Sequence, residues 1–548
     1  MKPYLPYQLL LIVLFALSSC SSDSEDPSPE PDTTAPTVSF SIAGASGSGP
    51  VIVSGQIEIT INAQDSNGIA KVEAFIDDQK VGEDTTAPFN IIVDLSGYAS
   101  KSSSAKSQNY TLSVIATDTS GNTTSKEQVI TIISETELIK INLPDEYMNP
   151  NLIEFYVFAS TMEGELLGFK KINQNDSSVT ISTEREISEN ELFMLTFAKL
   201  NNFDVAQFTT ITNLSTNLLP EINLAIDQRF ELRSANQIFQ ATGFDSLSDF
   251  TLSVVGRPYI GNIDYTDYNT IQIDRYECTN CENASSDYIY LSLLDSDVPF
   301  KYLVTPWNID ENYIFSLGDF ITEGLQNNTI SIDNVLNQPI EFAYFRLQGY
   351  FDGVDFENNF YHLIDDKATS SLINDEIPYV FNNIFEKYTY EVTVNRYYTN
   401  RNTIPPSSIT PLNWNINYSI SERTISIEKN GTDDILGKII LGTRSDNENY
   451  IPYSWELIYD SQQTNQVKLP DFPEEIKSWQ FYEDFSNQTL QVRQVEIKKY
   501  ENLVDFDDYI TKIIANNRRP FSISNEIESI FINNESSFHG TLDGWLVD

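Results

Sequence analysis

From Val38 onward apolar and polar residues alternate. Val38, Phe40 and Ile42 are apolar with polar neighbours between them, and Ile57, Ile59, Ile61 and Ala63 repeat the pattern. A period of two places every apolar side chain on one face of a strand, so each run predicts a half-buried strand. Asp65-Ser66-Asn67-Gly68 predicts a turn, followed by Val72, Ala74 and Ile76 and then a hairpin tip at Asp77-Asp78. Phe89, Ile91 and Val93 alternate again, as do Tyr110, Leu112, Val114 and Ala116. The turn Asp118-Thr119-Ser120-Gly121-Asn122 leads into a last strand, 129–133. So many period-two runs, separated by turn residues within roughly 100 residues, predict an antiparallel two-sheet sandwich over 36–134.

The pattern continues. Ile139, Ile141 and Leu143 alternate up to Pro144, and the dense runs 154–159 and 192–198 read as strands, so 135–222 is expected to be a second β-rich module. Residues 223–548 form a longer region rich in Tyr, Phe, Ile and Asn, of one or two domains. Strand runs are predicted there at 250–255, 288–293, 340–347, 388–394, 423–428, 435–441 and 490–497, with a short helix at 507–515. The fold class expected is all-β and multi-domain, with the modules in beads-on-a-string order.

The start of the chain reads differently. Leu9 to Leu17 is an uninterrupted apolar run of nine residues, too short for the roughly 20 that a spanning helix needs. With Lys2 before it and small residues after it, it reads as a cleaved signal over 1–19. Leu17-Ser18-Ser19-Cys20 resembles the lipobox of bacterial lipoproteins, which implies a mature chain beginning at an acylated Cys20 and palmitate on the protein. Several acyl chains, at about 0.8 kcal/mol per buried methylene, would anchor it durably. Residues 20–35 then form a tether without apolar side chains other than proline and alanine. Pro27, Pro29 and Pro31 favour extended backbone, and about 13 residues at about 3.1 Å each would reach roughly 40 Å. The Ser/Asp/Glu run after Cys20 resembles the surface-export signal of Bacteroidota lipoproteins. That implies the outer membrane, facing the cell exterior.

The sandwich region carries a second resemblance. Ala35-Pro36-Thr37-Val38, Ala63-Gln64-Asp65 with Gly68, Val72-Glu73, and 116–122 look like the bacterial Ig-like modules of multidomain surface proteins. The resemblance covers 34–134 and implies a spacer or binding module. The Ser/Lys-rich insertion 100–107 departs from it and is expected to be a loop. Asp65 and Asp118 could join a structural calcium site in such modules, or cap local backbone amides.

Composition narrows the function further. The formal charge of −46 repels nucleic acid and anionic membranes, so no nucleic-acid partner is expected. His362 and His539 are the two histidines, which disfavours histidine-rich metal sites and a histidine-based triad. Cys278 and Cys281 suit a small disulfide, with free thiols or redox chemistry as alternatives; their flanks lack the strand-to-helix setting of a thioredoxin-like site. The acidic clusters 352–357 and 505–508 are flanked by aromatics, yet a linear sequence cannot place two carboxylates across a cleft. No Gly-rich phosphate loop, G-x-S-x-G or H-E-x-x-H is present, and neither an enzyme activity nor a cofactor is expected. All five tryptophans, at 307, 414, 455, 479 and 545, lie beyond residue 223. Rigid aromatics favour recognition, so binding is expected there rather than in the Ig-like segment. The expected function is therefore a lipid-anchored surface binding or adhesion protein with an extracellular glycan or protein ligand. A narrower alternative is a glycan-binding lipoprotein of a nutrient-uptake system, resembling the starch-utilisation surface proteins, and a third is a carboxylate-based glycoside hydrolase. Exposed tryptophan platforms would favour the glycan reader, and a cleft with two facing acids the hydrolase.

Overall fold

The computed structural model describes residues 32–43, 51–98, 107–225, 230–333, 339–442 and 453–534, except positions 96, 134, 146, 149–150, 186, 280, 282, 284, 371, 373, 517 and 519–522. Cys20, the expected signal and most of the tether lie outside the described residues, as do His539, Trp545 and the insertion 100–107 apart from Ser107. The described chain is all-β in several sheets, with only short helices. It divides into two compact units, 1–135 and 136–548. Among the described residues no helix is long and apolar enough to cross a membrane.

The first unit is a sandwich. One sheet has three strands, Thr37–Ile42, Gln56–Gln64 and Phe89–Asp94; the other has five, ordered Val51–Val53, Thr123–Ile133, Ser107–Asp118, Ile69–Ile76 and Gln79–Asp84. Burial follows the alternation in the sequence: Ile57, Ile59 and Ile61 point inward from one sheet and Val72, Ala74 and Ile76 from the other, into a single core. Asp77 and Asp78 form the hairpin tip with positive φ, a conformation that Asp tolerates and that matches strand twist. Phe75 is half-buried on the opposite face from Val72 and Ala74.

The second unit is built on a twelve-stranded sheet. Its order runs Leu166–Lys171, Leu152–Thr161, Phe193–Asn201, Ala206–Leu214, Tyr453–Asp460, Leu436–Gly442, Val492–Tyr500, Glu526–Asn533, Tyr397–Arg401, Lys387–Val394, Ala343–Tyr350 and His362–Thr369. Three small three-stranded sheets accompany it: one around Thr136–Asn142, one around Leu325–Ile332 and one around Thr424–Lys429. A seven-stranded sheet spanning 230–316 has its own core around Phe239, Tyr259, Leu291 and Trp307. This corrects the expected boundary at 222. Ala206–Leu214 pairs in parallel with Tyr453–Asp460, and one apolar cluster joins Ile139, Phe155 and Leu195 to Ile435, Leu436, Ile510 and Ile527. Residues 136–223 and the C-terminal strands bury each other's apolar faces, so neither is a separate bead.

Candidate functional site

The acidic clusters resolve into helix caps. Asp352 accepts the Asp355 N–H at 2.8 Å at the start of the helix Gly353–Glu357, and Asp505 accepts the Asp508 N–H at 2.9 Å at the start of Phe506–Lys512. Each carboxylate satisfies an orphan amide and sits at the positive end of a short helix.

His362 lies in a buried polar cluster. Its Nδ1 meets the Tyr259 hydroxyl at 2.7 Å, and its Nε2 lies 3.5 Å from Ser286 Oγ and 3.7 Å from Asp355 Oδ2. Ser286 donates directly to Asp355 at 3.0 Å. These residue types match a hydrolase triad, but the connectivity does not. In a triad the imidazole bridges serine and acid; here the serine bonds the acid itself and the ring's other nitrogen is taken by a phenol. All four side chains are buried. Burial holds the imidazole below its usual pKa against the opposing pull of Asp355. The cluster is a clamp between the seven-stranded sheet and the edge strand His362–Thr369, reinforced by the isolated bridge between Gly256 and His362.

Cys278 ends the strand Thr270–Cys278 and is disulfide-bonded to Cys281, with Cα atoms 5.6 Å apart. The four described tryptophans are core residues: Trp307, Trp414, Trp455 and Trp479 are 3, 8, 0 and 5% exposed. None of these four forms the exposed platform that would favour a glycan reader. Their bulk fills the interior: Trp455 lies among Phe208, Phe472 and Phe485, and its indole N–H donates to Thr210 at 2.9 Å.

A cleft of about 970 Å³ opens in the second unit. Four distant segments form it: 339–342, the hairpin turn 394–397, the strap 411–415 with Asn430, and Ile530 with Asn533. Asn395 fixes the rim. With φ of 51° it turns the hairpin, accepts the Glu341 and Phe342 amides at 2.8 and 3.2 Å, and donates to the Pro339 carbonyl at 2.9 Å. Asn430 does the same for the strap, accepting the Asn415 N–H at 2.5 Å while its own backbone N–H reaches the Asn415 carbonyl. Tyr397 and Trp414 contribute aromatic edges. The Tyr397 phenol donates to Glu528 at 2.5 Å, and burial, with the Glu528 charge, raises its pKa. Lys499 stands over the Trp414 ring at 5.8 Å and bonds Glu528 at 3.0 Å. Burial pulls the Lys499 pKa down, but the bond to Glu528 and the charges of Glu528 and Asp433 outweigh it. It therefore stays cationic behind the indole. Arg396 and Glu341 are exposed at the cleft, and Arg396 has no ion-pair partner among the described residues. Glu341 is the one carboxylate among the described lining residues. Of these residues the sequence pointed only to Trp414; the amide-rich run Asn413-Trp414-Asn415 was the available signal for the rest.

A second cleft of about 720 Å³ is lined by Tyr344, Asp366, Lys367 and Glu376 among others. Arg346 grips Asp366 through Nε and Nη2 at 3.2 and 3.1 Å, so that carboxylate is engaged.

Comparison with known proteins identifies the first unit. Residues 36–114 match the family model of a bacterial Ig domain. The first unit is a bacterial Ig-like domain. The match ends within the strand Ser107–Asp118 of the first unit. No curated protein matches the chain. Among solved structures, the Clostridium thermocellum CbhA fibronectin(III)-like modules share 24% identity, covering 18% of this chain and 96% of that one, at a TM-score of 0.14. Carbohydrate-binding modules from the beta-sandwich super family share 10% identity over 67% of this chain and 98% of theirs, at 0.15. The Bacteroides ovatus mixed-linkage glucan utilization locus protein SGBP-B shares 10% over 63% of this chain and 92% of its own, at 0.13.

Proposed function

We propose that this chain is a non-enzymatic surface-binding protein, acylated at Cys20 on the outer membrane, facing outward, whose Ig module is a spacer and whose second unit takes an oligosaccharide in the 970 Å³ cleft. The cleft is the observation that carries this reading. A concavity of this size suits a few linked rings, whereas a protein partner would favour a broad, flatter face. Its rim offers exposed amides at Asn413 and Asn430, which both donate and accept as sugar hydroxyls require. Arg396 adds a fork of donors, and Trp414 and Tyr397 supply apolar edges. One carboxylate at the described rim, Glu341, is short of the acid pair that glycoside hydrolysis uses.

The test is binding of the mature chain to immobilised oligosaccharides, beside its Arg396→Ala and Asn413→Ala variants. Both residues are exposed, so the variants should fold as wild type. Binding by wild type with at least tenfold loss in each variant is the expected result. No glycan binding by wild type, or full retention in both variants, overturns the reading. Palmitate labelling that is lost in Cys20→Ala checks the anchor separately.

A further inference from the structure

We propose that Asn430 is a modification site: its side chain cyclises onto the backbone nitrogen of Gly431 and deamidates, changing the rim of the cleft. The chain contains two Asn-Gly pairs, Asn67-Gly68 and Asn430-Gly431. Glycine hinders such a ring closure least, since it has no Cβ and leaves the backbone free to turn. Both asparagines are exposed, yet their settings differ. At the first pair the attacking nitrogen is engaged: Gly68 donates its N–H to the Asp65 carbonyl at 3.3 Å. Asp65 also accepts the Asn67 N–H at 2.7 Å, and Thr119 Oγ1 donates to the Asn67 carbonyl at 2.8 Å, so the whole turn is pinned. The second pair follows the strand Thr424–Lys429 and lies outside its ladder. The Gly431 N–H has no hydrogen-bond acceptor among the described residues, and neither has the Asn430 side-chain nitrogen that must leave.

The strap supplies the other half of the chemistry. As the Gly431 nitrogen attacks the Asn430 Cγ, negative charge gathers on Oδ1, which already accepts the Asn415 N–H at 2.5 Å. A donor aimed where charge develops stabilises that intermediate. The Gly431 nitrogen gives its proton to solvent hydroxide as the new C–N bond forms. The bond from Cγ to Nδ2 then breaks, and ammonia departs with a proton from water. Water opens the cyclic imide at either carbonyl, leaving aspartate or isoaspartate at this position. The fold also keeps the labile pair in place. A Cβ at 431 would stand 2.6 Å from Asp434 Oδ1 and 3.2 Å from the Trp414 ring, so packing against the strap demands glycine. Either product adds a carboxylate to the loop that holds Asp433 and Asp434 and removes a donor from the rim. The consequence for binding rests on the cleft being the ligand site; the modification does not.

The test incubates the mature full-length chain in mildly alkaline buffer, folded and in urea, and follows the peptides bearing 67 and 430 by mass spectrometry with isoaspartate scored. In the folded chain, conversion at 430 should outpace that at 67 by about tenfold, the rate equivalent of the hydrogen bonds that must break around Gly68. In urea the two rates should converge, because the turn is gone. Equal rates in the folded chain, or faster conversion at 67, would overturn the modification site. Asn430→Asp, which retains an acceptor for the Asn415 N–H, should bind the glycan about tenfold more weakly than freshly purified wild type, and equal binding would overturn the effect on the rim. If fresh wild type binds no glycan, the reading of the cleft fails while the mass readout still decides the modification.

Discussion

Glycine at 437 is a requirement of close approach. Gly437 pairs across the sheet with Tyr459, whose ring lies flat over it; a Cβ there would stand 1.9 Å from the ring's Cζ. Both belong to strands in the middle of the twelve-stranded sheet, where the ring cannot swing into solvent. Gly437→Ala should therefore destabilise the second unit by about 1–3 kcal/mol, the usual cost of overpacking, as read from the urea midpoint. Tyr459 is also the place for a contrasting change, since its buried hydroxyl has no hydrogen-bond partner. Tyr459→Phe in the same assay should be neutral or stabilising, because it removes a polar atom that folding dehydrates without compensation.

The short helices are where local chemistry decides an element. Phe506–Lys512 has under two turns and no intrinsic stability at that length, so its cap and its packed face hold it. Asp505→Ala should cost about 1 kcal/mol in the urea midpoint, and Asp505→Asn much less, because asparagine still caps. Elements of this kind were largely legible from sequence. The sandwich strands announced themselves through period two, and the helix expected at 507–515 begins one residue earlier and ends in a 3-10 turn. What stayed hidden were the partners. Nothing local in Ala206–Leu214 says that it lies beside Tyr453–Asp460, and so the expected break at 222 was misplaced. The cleft was hidden for the same reason: its four walls are short, irregular and far apart in sequence. Tryptophan abundance singled out the second unit, which does hold the cleft, but burial is set by which faces meet, and composition is blind to that.

At the scale of the whole second unit, His362 makes stability depend on pH. The folded ring is held below the usual value of 6.5 by burial, so the unfolded chain takes up a proton first as the pH falls. Stability contributed by the neutral ring is complete above about pH 6.5 and is lost below it, at up to about 1.4 kcal/mol per pH unit. Urea midpoints at pH 7.5 and 5.5 should differ for wild type and converge for His362→Gln, which is less stable at the higher pH. Equal slopes in the two proteins would show that the cluster is not what titrates. Because His362 clamps the seven-stranded sheet to the edge of the larger one, the loss should appear as loosening of 230–320 before the rest.

The parallel pairing in the middle of the large sheet also governs when this protein can fold. Asn213 and Asp460, which meet there, are 247 residues apart. Closing so long a loop loses entropy before any contact compensates, which makes such topologies slow. A chain emerging from a ribosome or a translocation pore would present residues 136–225 long before their partner strand arrives. The apolar faces of Phe155, Val157 and Leu195 stay uncovered in that interval. The Ig module, whose strand partners all lie within 133 residues of the start, carries no such delay. The topology of the second unit thus leaves a window during synthesis in which it needs protection from aggregation.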